Sequence, residues 1–264
     1  MGNGLADPHE PSRISIVVPC YNEAHRLKVE SFRQFLAASD SVRILFVNDG
    51  SQDQTEQVLR DACCGYEDRT CILSKPLNEG KAEAVRTGIN HALRRFRQDL
   101  IGYWDADLAT PLGAICGFAM MLDTRPEIEM VFGSRVKLLG RHIERRAVRH
   151  YLGRIFATVV SVMLRLPIYD TQCGAKLFRV SEHMAAVFAQ PFLSKWVFDV
   201  EIIARYLNVY ENEAKRLEEA IYEYPLEQWT DIAGSKVRAK DFLTALVDIL
   251  RIKYRYLRHR SRTV

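Results

Sequence analysis

The feature that most constrains the fold of this chain is a regular alternation of short apolar runs with segments of helical periodicity. The apolar runs are rich in β-branched or aromatic side chains, and they cover residues 14–19, 43–51, 70–74, 100–104 and 128–134. Helical patterns lie between them, at residues 24–38, 53–64, 79–96 and 111–123. Strands that alternate with helices and are apolar on both faces predict an α/β fold, with a mainly parallel sheet flanked by helices.

Length and composition indicate a globular chain. Its 264 residues suffice for one large domain or two small ones, and we expect one domain over residues 13–240 after a disordered leader at residues 1–12. The six cysteines form no CxxC pair, which indicates an intracellular protein without structural disulfides. The leader shows no apolar core of a secretory signal, and no apolar run approaches the roughly 20 residues of a transmembrane helix.

Two segments of the second half combine an amphipathic pattern with many basic residues. Apolar side chains recur at helical spacing in residues 146–166, and residues 241–258 repeat the pattern within a basic C-terminal helix predicted over residues 241–264. Each helix could pack its apolar face on the core, or it could lie on a membrane surface. Because the pattern occurs twice, we expect a peripheral protein on the cytoplasmic face of a membrane, with no transmembrane helix.

The stretch YWDADLAT places two carboxylates, Asp105 and Asp107, directly after an apolar strand. Residues i and i+2 of an extended chain point the same way, so the two side chains can share one ligand. A divalent cation would remove their repulsion, because Mg²⁺ and Mn²⁺ prefer oxygen ligands. The competing interpretation is one helix cap plus one surface carboxylate, but Thr110 and Pro111 already offer a cap and a first helical residue.

Polar residues also follow the first two predicted strands. The stretch PCYNE places Tyr21 and Glu23 after the first strand, and FVNDGS places Asp49 after the second. A carboxylate at the position of Asp49 can accept a hydrogen bond from a base N–H. Ligands of open α/β sheets bind at the carboxyl ends of the strands, so we expect these residues to converge with the acidic pair on one edge.

In order and spacing, the motifs P-x-Y-N-E, V-N-D-G-S, N-x-G-K and D-A-D resemble those of family 2 glycosyltransferases with the GT-A fold, over most of residues 14–240. The resemblance implies a nucleotide-sugar site that includes Pro19, Tyr21, Glu23, Asp49, Lys81 and Asp105. In that site Asp49 would recognise the base. Asp107 would bind Mg²⁺ or Mn²⁺ directly, and Asp105 would reach the nucleotide-sugar through ribose or water, sharing the cation.

Motifs of the second half, FGSR, DTQCGAKLF and WTDIAGSKV, are similar to those of the polyprenyl-phosphate glycosyltransferases. They resemble the dolichyl-phosphate β-glucosyltransferases more than the mannose synthases, because Ala109 replaces a glutamine that mannose synthases often carry. The resemblance implies that glucose passes from UDP-glucose to a polyprenyl or dolichyl phosphate. It also implies a set of residues that contact the acceptor: Arg146, Arg149, Gln172, Lys176, Trp229, Ser235 and Lys236.

Charge explains which residues such a reaction needs. A nucleotide-sugar leaves a diphosphate, whose negative charge requires a metal and fixed cations. The acceptor phosphate requires cations of its own, for which Arg135, Arg146 and Arg149 are candidates. A phosphomonoester has a second pKa of about 6, so no strong base is needed, and Asp170 would align the acceptor or take a residual proton. The expected catalytic set is Asp107, Arg135 and Asp170. On charge alone, an ion pair between Asp170 and Lys176 is the simpler role for both.

Other functions stay open at this point. The same fold could use GDP-mannose, as in a polyprenyl-phosphate mannose synthase, or a soluble acceptor. A nucleotidyltransferase also uses paired carboxylates and a metal, but PCYNEAHRL lacks the glycine-rich loop typical of that class. Asp199 and Glu201 either complement a helix dipole or belong to the site. The basic C-terminus permits nucleic-acid binding, yet the acidic sheet edge argues against it, so we expect no nucleic-acid partner.

Overall fold

The computed structural model describes residues 12–144, 147–211, 213–231 and 239–257. Within these residues the strands are β1 (Ile14–Cys20), β2 (Val42–Asp49), β3 (Thr70–Lys75), β4 (Leu100–Trp104), β5 (Met130–Ser134), β6 (His142–Glu144), β7 (Ala175–Arg179), β8 (Ile221–Pro225) and β9 (Gln228–Thr230). The helices are α1 (Val29–Ala38), α2 (Thr55–Cys63), α3 (Lys81–Arg95), α4 (Ala114–Thr124), α5 (Ala147–Leu164), α6 (Glu182–Ala189), α7 (Phe198–Val209), α8 (Ala214–Ala220) and α9 (Ala239–Tyr256). The expected leader, except for its last residue, and the end of the C-terminal segment, residues 258–264, lie outside the described residues.

Seven of these strands form one sheet, in the order β3-β2-β1-β4-β7-β5-β8. Strand β7 pairs antiparallel with both of its neighbours, β4 and β5, whereas every other pairing in the sheet is parallel. The predicted α/β fold with a mainly parallel sheet is therefore confirmed. The carboxyl ends of β1, β2, β4 and β5 lie on one edge of the sheet, together with the amino end of β7.

Each predicted apolar run forms a strand whose ends fall within two residues of the prediction. The predicted starts of the helices agree less well with the structure. Helix α4 begins at Ala114, so the prediction that Thr110 caps it and Pro111 starts it is wrong. The Thr110 carbonyl accepts a hydrogen bond from the indole Nε1 of Trp104 at 2.8 Å, which ties residue 110 to the end of β4 and delays the helix.

Helices cover both faces of the sheet and form two buried clusters. Helix α3 packs on β1 and β2 through small side chains, and its Gly88 lies against Val17 and Val47. The same face carries α6, α7 and the inner sides of α5 and α9, and the opposite face carries α1, α2 and α4. Burial on both faces explains why the strands are apolar throughout.

The two basic amphipathic segments form α5 and α9, and each helix has two apolar stripes. The inner stripes join the core through Val160 and Leu164 of α5 and through Ile249 and Ile252 of α9. The outer stripes are exposed and consist of Ile155, Val159 and Val162 on α5 and Leu246, Val247, Leu250 and Tyr254 on α9. Among the described helices, none has both the length and the apolarity that crossing a membrane requires.

A buried polar network attaches α9 to the rest of the fold. The Glu201 carboxylate of α7 pairs with Arg205 at 2.8 Å and accepts a hydrogen bond from the Tyr256 hydroxyl of α9 at 3.0 Å. Near the middle of α9, Asp248 accepts a hydrogen bond from Ser194 at 2.8 Å. Glu201 is therefore part of the helix packing, a role that neither of its two predictions named.

Substitution of Gly102, on β4, tests the close contact between β4 and the antiparallel strand β7. A Cβ at this position would overlap the backbone carbonyl of Lys176, so Gly102→Ala should lower the free energy of unfolding by about 1–3 kcal/mol. Gly113→Ala is the matched control, because a Cβ there meets no atom within 4 Å. Urea unfolding of both variants checks this; equal stabilities would contradict the tight β4–β7 pairing.

Candidate active site

The acidic pair lies at the predicted edge of the sheet, and each carboxylate faces a different cation. Asp105 Oδ1 lies 2.5 Å from the ammonium Nζ of Lys81, at the start of α3. Burial disfavours the charged ammonium, but the carboxylates of Asp105 and Asp199 raise the pKa of Lys81 above its usual value. Lys81 is therefore a fixed positive charge beside Asp105.

Asp107 is held by the backbone through one oxygen, and its other oxygen faces Arg26. Its Oδ1 accepts a hydrogen bond from the Ala109 amide at 3.0 Å, and its Oδ2 lies 3.7 Å from Nη2 of Arg26. Leu108, between Asp107 and Ala109, adopts the left-handed region of backbone conformation, with a φ of 53°. The same Arg26 lies 3.3 Å from Glu23, so its guanidinium stands between two carboxylates.

The oxygen ligands at this edge suit a cation that takes only one or two ligands from the protein and the others from water and substrate. Among the described residues, no group of three or more His, Cys, Asp or Glu side chains could hold a metal ion. Asp107 and Asp105 nevertheless offer oxygen ligands on one loop. Mg²⁺ is commonly bound through one or two carboxylates, with waters and substrate phosphates completing the octahedron.

Asp49, at the end of β2, organises the loop that precedes α3. Its carboxylate accepts hydrogen bonds from the amides of Glu79 and Gly80, at 3.2 and 2.7 Å, and lies 2.8 Å from the ammonium of Lys75. Two of these contacts fall on Oδ1, and Oδ2 carries only the Gly80 bond among them. Asp49 is buried, with 2% of its surface exposed.

The residues after β1 are joined to those after β2. The Glu23 amide donates to the hydroxyl of Thr55 at 2.8 Å, and the Asn22 amide donates to the hydroxyl of Ser51 at 3.0 Å. Asn22 itself has a φ of 52°. Pro19 and Tyr21 lie half-buried on the same segment, so the predicted nucleotide residues of the two motifs share one region.

A second buried ion pair lies beside the acidic loop. The guanidinium of Arg135 binds the Asp170 carboxylate through two hydrogen bonds, Nε at 2.6 Å and Nη2 at 2.7 Å. The amides of Arg135 and Gln172 also donate to that carboxylate. The Arg135 guanidinium lies 5.2 Å from the ring centre of Trp229, on β9. Asp170 is thus paired with Arg135, and the predicted alternative of an Asp170–Lys176 pair is wrong.

Glu223, on β8, holds the backbone segment that carries Asp170, and the sequence analysis did not predict this role. Its two carboxylate oxygens accept hydrogen bonds from the amides of Tyr169 and Asp170, both at 2.8 Å. Burial raises the pKa of Glu223 above its usual value, although the two hydrogen bonds act to lower it. The only sequence signal was a carboxylate within an apolar strand.

Lys176 lies inside the core and not in the predicted acceptor site. Its ammonium is fully buried and binds Asp199 Oδ1 at 2.5 Å, the Cys173 carbonyl at 2.7 Å and the Thr171 carbonyl at 3.0 Å. Three acceptors saturate an ammonium. The prediction that Lys176 contacts the acceptor is corrected for this reason, and Asp199 is its counter-ion.

Four predicted acceptor residues cannot be placed. Arg146, Ser235 and Lys236 lie outside the described residues, and Arg149 lies on α5 at a position whose side chain is not described. Conversely, Arg26 and Lys75 contact predicted site residues, although no motif selects them beyond their proximity to PCYNE and to β3.

Asp170→Asn tests the buried pair with Arg135. The substitution leaves a buried guanidinium without its carboxylate, and should lower the free energy of unfolding by about 3–5 kcal/mol. Asp99→Asn is the control, because it removes the carboxylate of an exposed pair with Arg13 and should cost less than about 1 kcal/mol. Urea unfolding measures the stability of both variants. Similar losses would show that the buried Arg135–Asp170 pair contributes no more to stability than an exposed pair.

The sequence of this chain is similar to those of known glycosyltransferases. Residues 15–184 match the sequence profile of glycosyl transferase family 2. The dolichyl-phosphate β-glucosyltransferase of Mus musculus is 33% identical over 260 residues, which cover 93% of this chain and 76% of the mouse protein. The enzyme of the same name from Saccharomyces cerevisiae is 30% identical over 268 residues, covering 92% of this chain and 75% of the yeast protein.

Solved structures agree on the fold. Glucosyl-3-phosphoglycerate synthase from Mycobacterium tuberculosis, in complex with Mn²⁺, UDP-glucose and phosphoglyceric acid, superposes with a TM-score of 0.65 at 17% identity, covering 92% of this chain and 80% of that one. Mannosyl-3-phosphoglycerate synthase from Rubrobacter xylanophilus gives 0.67 at 18% identity, covering 96% and 76%. At these identities the likeness concerns the fold alone, and it confirms the predicted GT-A fold. Because the family profile spans more than half of its length, this chain belongs to glycosyl transferase family 2 and is a glycosyltransferase.

Proposed function

We propose that this enzyme transfers glucose from UDP-glucose to a polyprenyl or dolichyl phosphate at a membrane surface, with inversion at the anomeric carbon. The observation that carries the proposal is the similarity to dolichyl-phosphate β-glucosyltransferases, which extends over more than nine-tenths of this chain. The arrangement of charges at the sheet edge supports the same reaction.

The donor site is proposed at the ends of β1, β2 and β4. Asp49 would contribute to recognition of the base, while Pro19, Tyr21 and Glu23 would line the pocket. Lys81 supplies a fixed positive charge at the start of α3, where it and the helix N-terminus favour the negative diphosphate.

Asp107, with Asp105, is proposed to hold Mg²⁺ or Mn²⁺. The Asp107 side chain is 25% exposed, and its Oδ2 makes a long contact of 3.7 Å with Arg26, which supports this role. When bound, the cation would supply positive charge for the diphosphate that leaves. Lys81 supplies part of the same charge from the protein itself.

The acceptor site is proposed around Arg135, Gln172 and Trp229, beside the acidic loop. Arg135 offers positive charge for the acceptor phosphate, and Asp170 fixes its orientation through two hydrogen bonds. An acceptor phosphate that is already ionised near pH 7 needs no strong base, which fits a carboxylate whose oxygens are engaged. Arg146, Arg149, Ser235 and Lys236 stay predictions for this site.

The membrane surface is proposed as a partner through the outer stripes of α5 and α9. On α9, Leu246, Leu250 and Tyr254 are exposed beside basic residues near the C-terminal end, Lys253 and Arg255. Apolar side chains flanked by cations are typical of helices that lie in the interface of an anionic bilayer. We propose attachment on the cytoplasmic face, where the six free thiols would stay reduced.

Donor, acceptor and metal use are tested with either a short polyprenyl phosphate or phosphoglycerate as acceptor. Each acceptor is combined with UDP-glucose, with GDP-mannose and with UDP-glucose plus EDTA. We expect turnover with UDP-glucose, loss in EDTA and recovery on addition of Mg²⁺ or Mn²⁺. Asp107→Asn should lower kcat/KM on the order of 100-fold, and Asp40→Asn, at a fully exposed carboxylate, should not change it. Turnover with GDP-mannose alone would identify a mannose synthase; turnover only with phosphoglycerate as acceptor would identify a soluble-acceptor enzyme.

Membrane attachment is tested by flotation with anionic liposomes. Leu250→Glu places a charge in the outer stripe of α9 and should weaken liposome binding about tenfold. The substitution removes apolar surface that would be buried in the bilayer, and the new carboxylate is repelled by the anionic lipids. Met120→Glu on α4 is the matched control, because the two side chains are equally exposed, 60% for Leu250 and 58% for Met120. Equal binding of both variants would exclude α9 as the attachment surface.

A further inference from the structure

Arg26 connects two carboxylates that belong to different motifs of the site. It follows β1, and its guanidinium lies 3.3 Å from Glu23 and 3.7 Å from Asp107. The backbone amide of Arg26 donates to the Glu23 carbonyl at 2.9 Å, which holds the segment in a turn. Two-thirds of the Arg26 side chain is buried, so the guanidinium is held between the two loops.

The oxygen that Arg26 approaches is the one that a divalent cation would need. Oδ1 of Asp107 is engaged by the Ala109 amide, so Oδ2 is the oxygen open to both. At 3.7 Å the contact with Arg26 is an ion pair that is longer than a hydrogen bond. Such a pair at a partly exposed site is weak and can be exchanged for a stronger partner.

The charges around Arg26 show what each ligand would change. Glu23, Asp105 and Asp107 contribute three negative charges, and Lys81 and Arg26 contribute two positive ones, which leaves one net negative charge. A divalent cation alone would make the cluster positive. The diphosphate of a nucleotide-sugar carries two negative charges and would make it negative again.

We propose that Arg26 makes metal binding depend on the nucleotide: it competes with the divalent cation for Asp107 and becomes a counter-ion of the diphosphate once both are bound. This inference rests on the proposed function, since it assumes a nucleotide-diphosphate ligand. Arg26 opposes the cation when the nucleotide is absent and attracts the nucleotide when the cation is present. By linkage, the nucleotide then raises the affinity for the cation by the same factor as the cation raises the affinity for the nucleotide.

The test measures binding of Mn²⁺ by titration calorimetry, with and without UDP, and needs no turnover. In Arg26→Gln we expect Mn²⁺ alone to bind on the order of threefold to tenfold more tightly, because a nearby positive charge is removed. UDP in the presence of Mn²⁺ should bind more weakly by a similar factor. Arg26→Lys keeps the charge and should restore part of the difference. Arg13→Gln, which breaks an exposed pair at the opposite edge of the sheet, is the control and should match the unmodified enzyme.

A second variant keeps the test decisive if Arg26→Gln does not fold. Glu23→Gln removes the other partner of Arg26 and leaves its charge to Asp107, so Mn²⁺ alone should bind more weakly, opposite in sign to Arg26→Gln. Unchanged Mn²⁺ affinity in the variant that folds would overturn the role of Arg26. If the unmodified enzyme itself binds no UDP with Mn²⁺, the proposed function fails and not this inference alone.

Discussion

The arrangement of the site depends on the buried ion pair between Lys176 and Asp199. Lys176 lies on the reversed strand β7, and its ammonium also binds the carbonyls of Thr171 and Cys173. Buried ions are costly unless they are paired and fully hydrogen-bonded, so the loop before β7 has little freedom to move. That loop carries Asp170 and ends at Gly174, whose carbonyl accepts a hydrogen bond from the Asp105 amide at 2.9 Å. A Cβ on Gly174 would overlap the Asp105 carboxylate, which shows how closely the two loops meet.

The site is built from carboxylates that each have a cation of the chain itself. Asp49 pairs with Lys75, Asp105 with Lys81, Asp107 with Arg26, and Asp170 with Arg135. These pairs differ in how firmly they are held. The Arg135–Asp170 pair is bidentate and buried, which suits an orienting role, whereas the Arg26–Asp107 pair is long and partly exposed, which suits exchange. The proposed diphosphate site would combine both kinds: charges that stay in place and charges that change partner.

The amphipathic helices show why two interpretations of one pattern were both reasonable. Helical periodicity reveals an apolar face but not how wide it is or what covers it. In α9 the residues Ile249 and Ile252 turn toward the core, while Leu246 and Leu250 turn away from it. The face predicted as one surface is therefore divided between the core and the exterior. Only the position of α7 and its neighbours determines where that division lies, through contacts such as Glu201 with Tyr256.

Local patterns in the sequence determined the strands of the first half, the α/β class and the convergence of Asp49, Asp105 and Asp107 on one edge. These follow from the apolar runs and from the rule that parallel strands present their carboxyl ends together. The resemblance to a known family added the assignment as a glycosyltransferase.

Tertiary structure alone decided which charges meet. The reversed strand β7 was hidden because its buried lysine breaks the apolar pattern of AKLFR, and this strand separates β4 from β5. Arg135 reaches Asp170 across 35 residues, and Lys176 reaches Asp199 across 23. Nothing in the local sequence specifies such partners. The ion pairs form where the sheet order brings distant loops within a few ångströms of each other, because a charge at that depth requires whichever opposite charge the fold supplies.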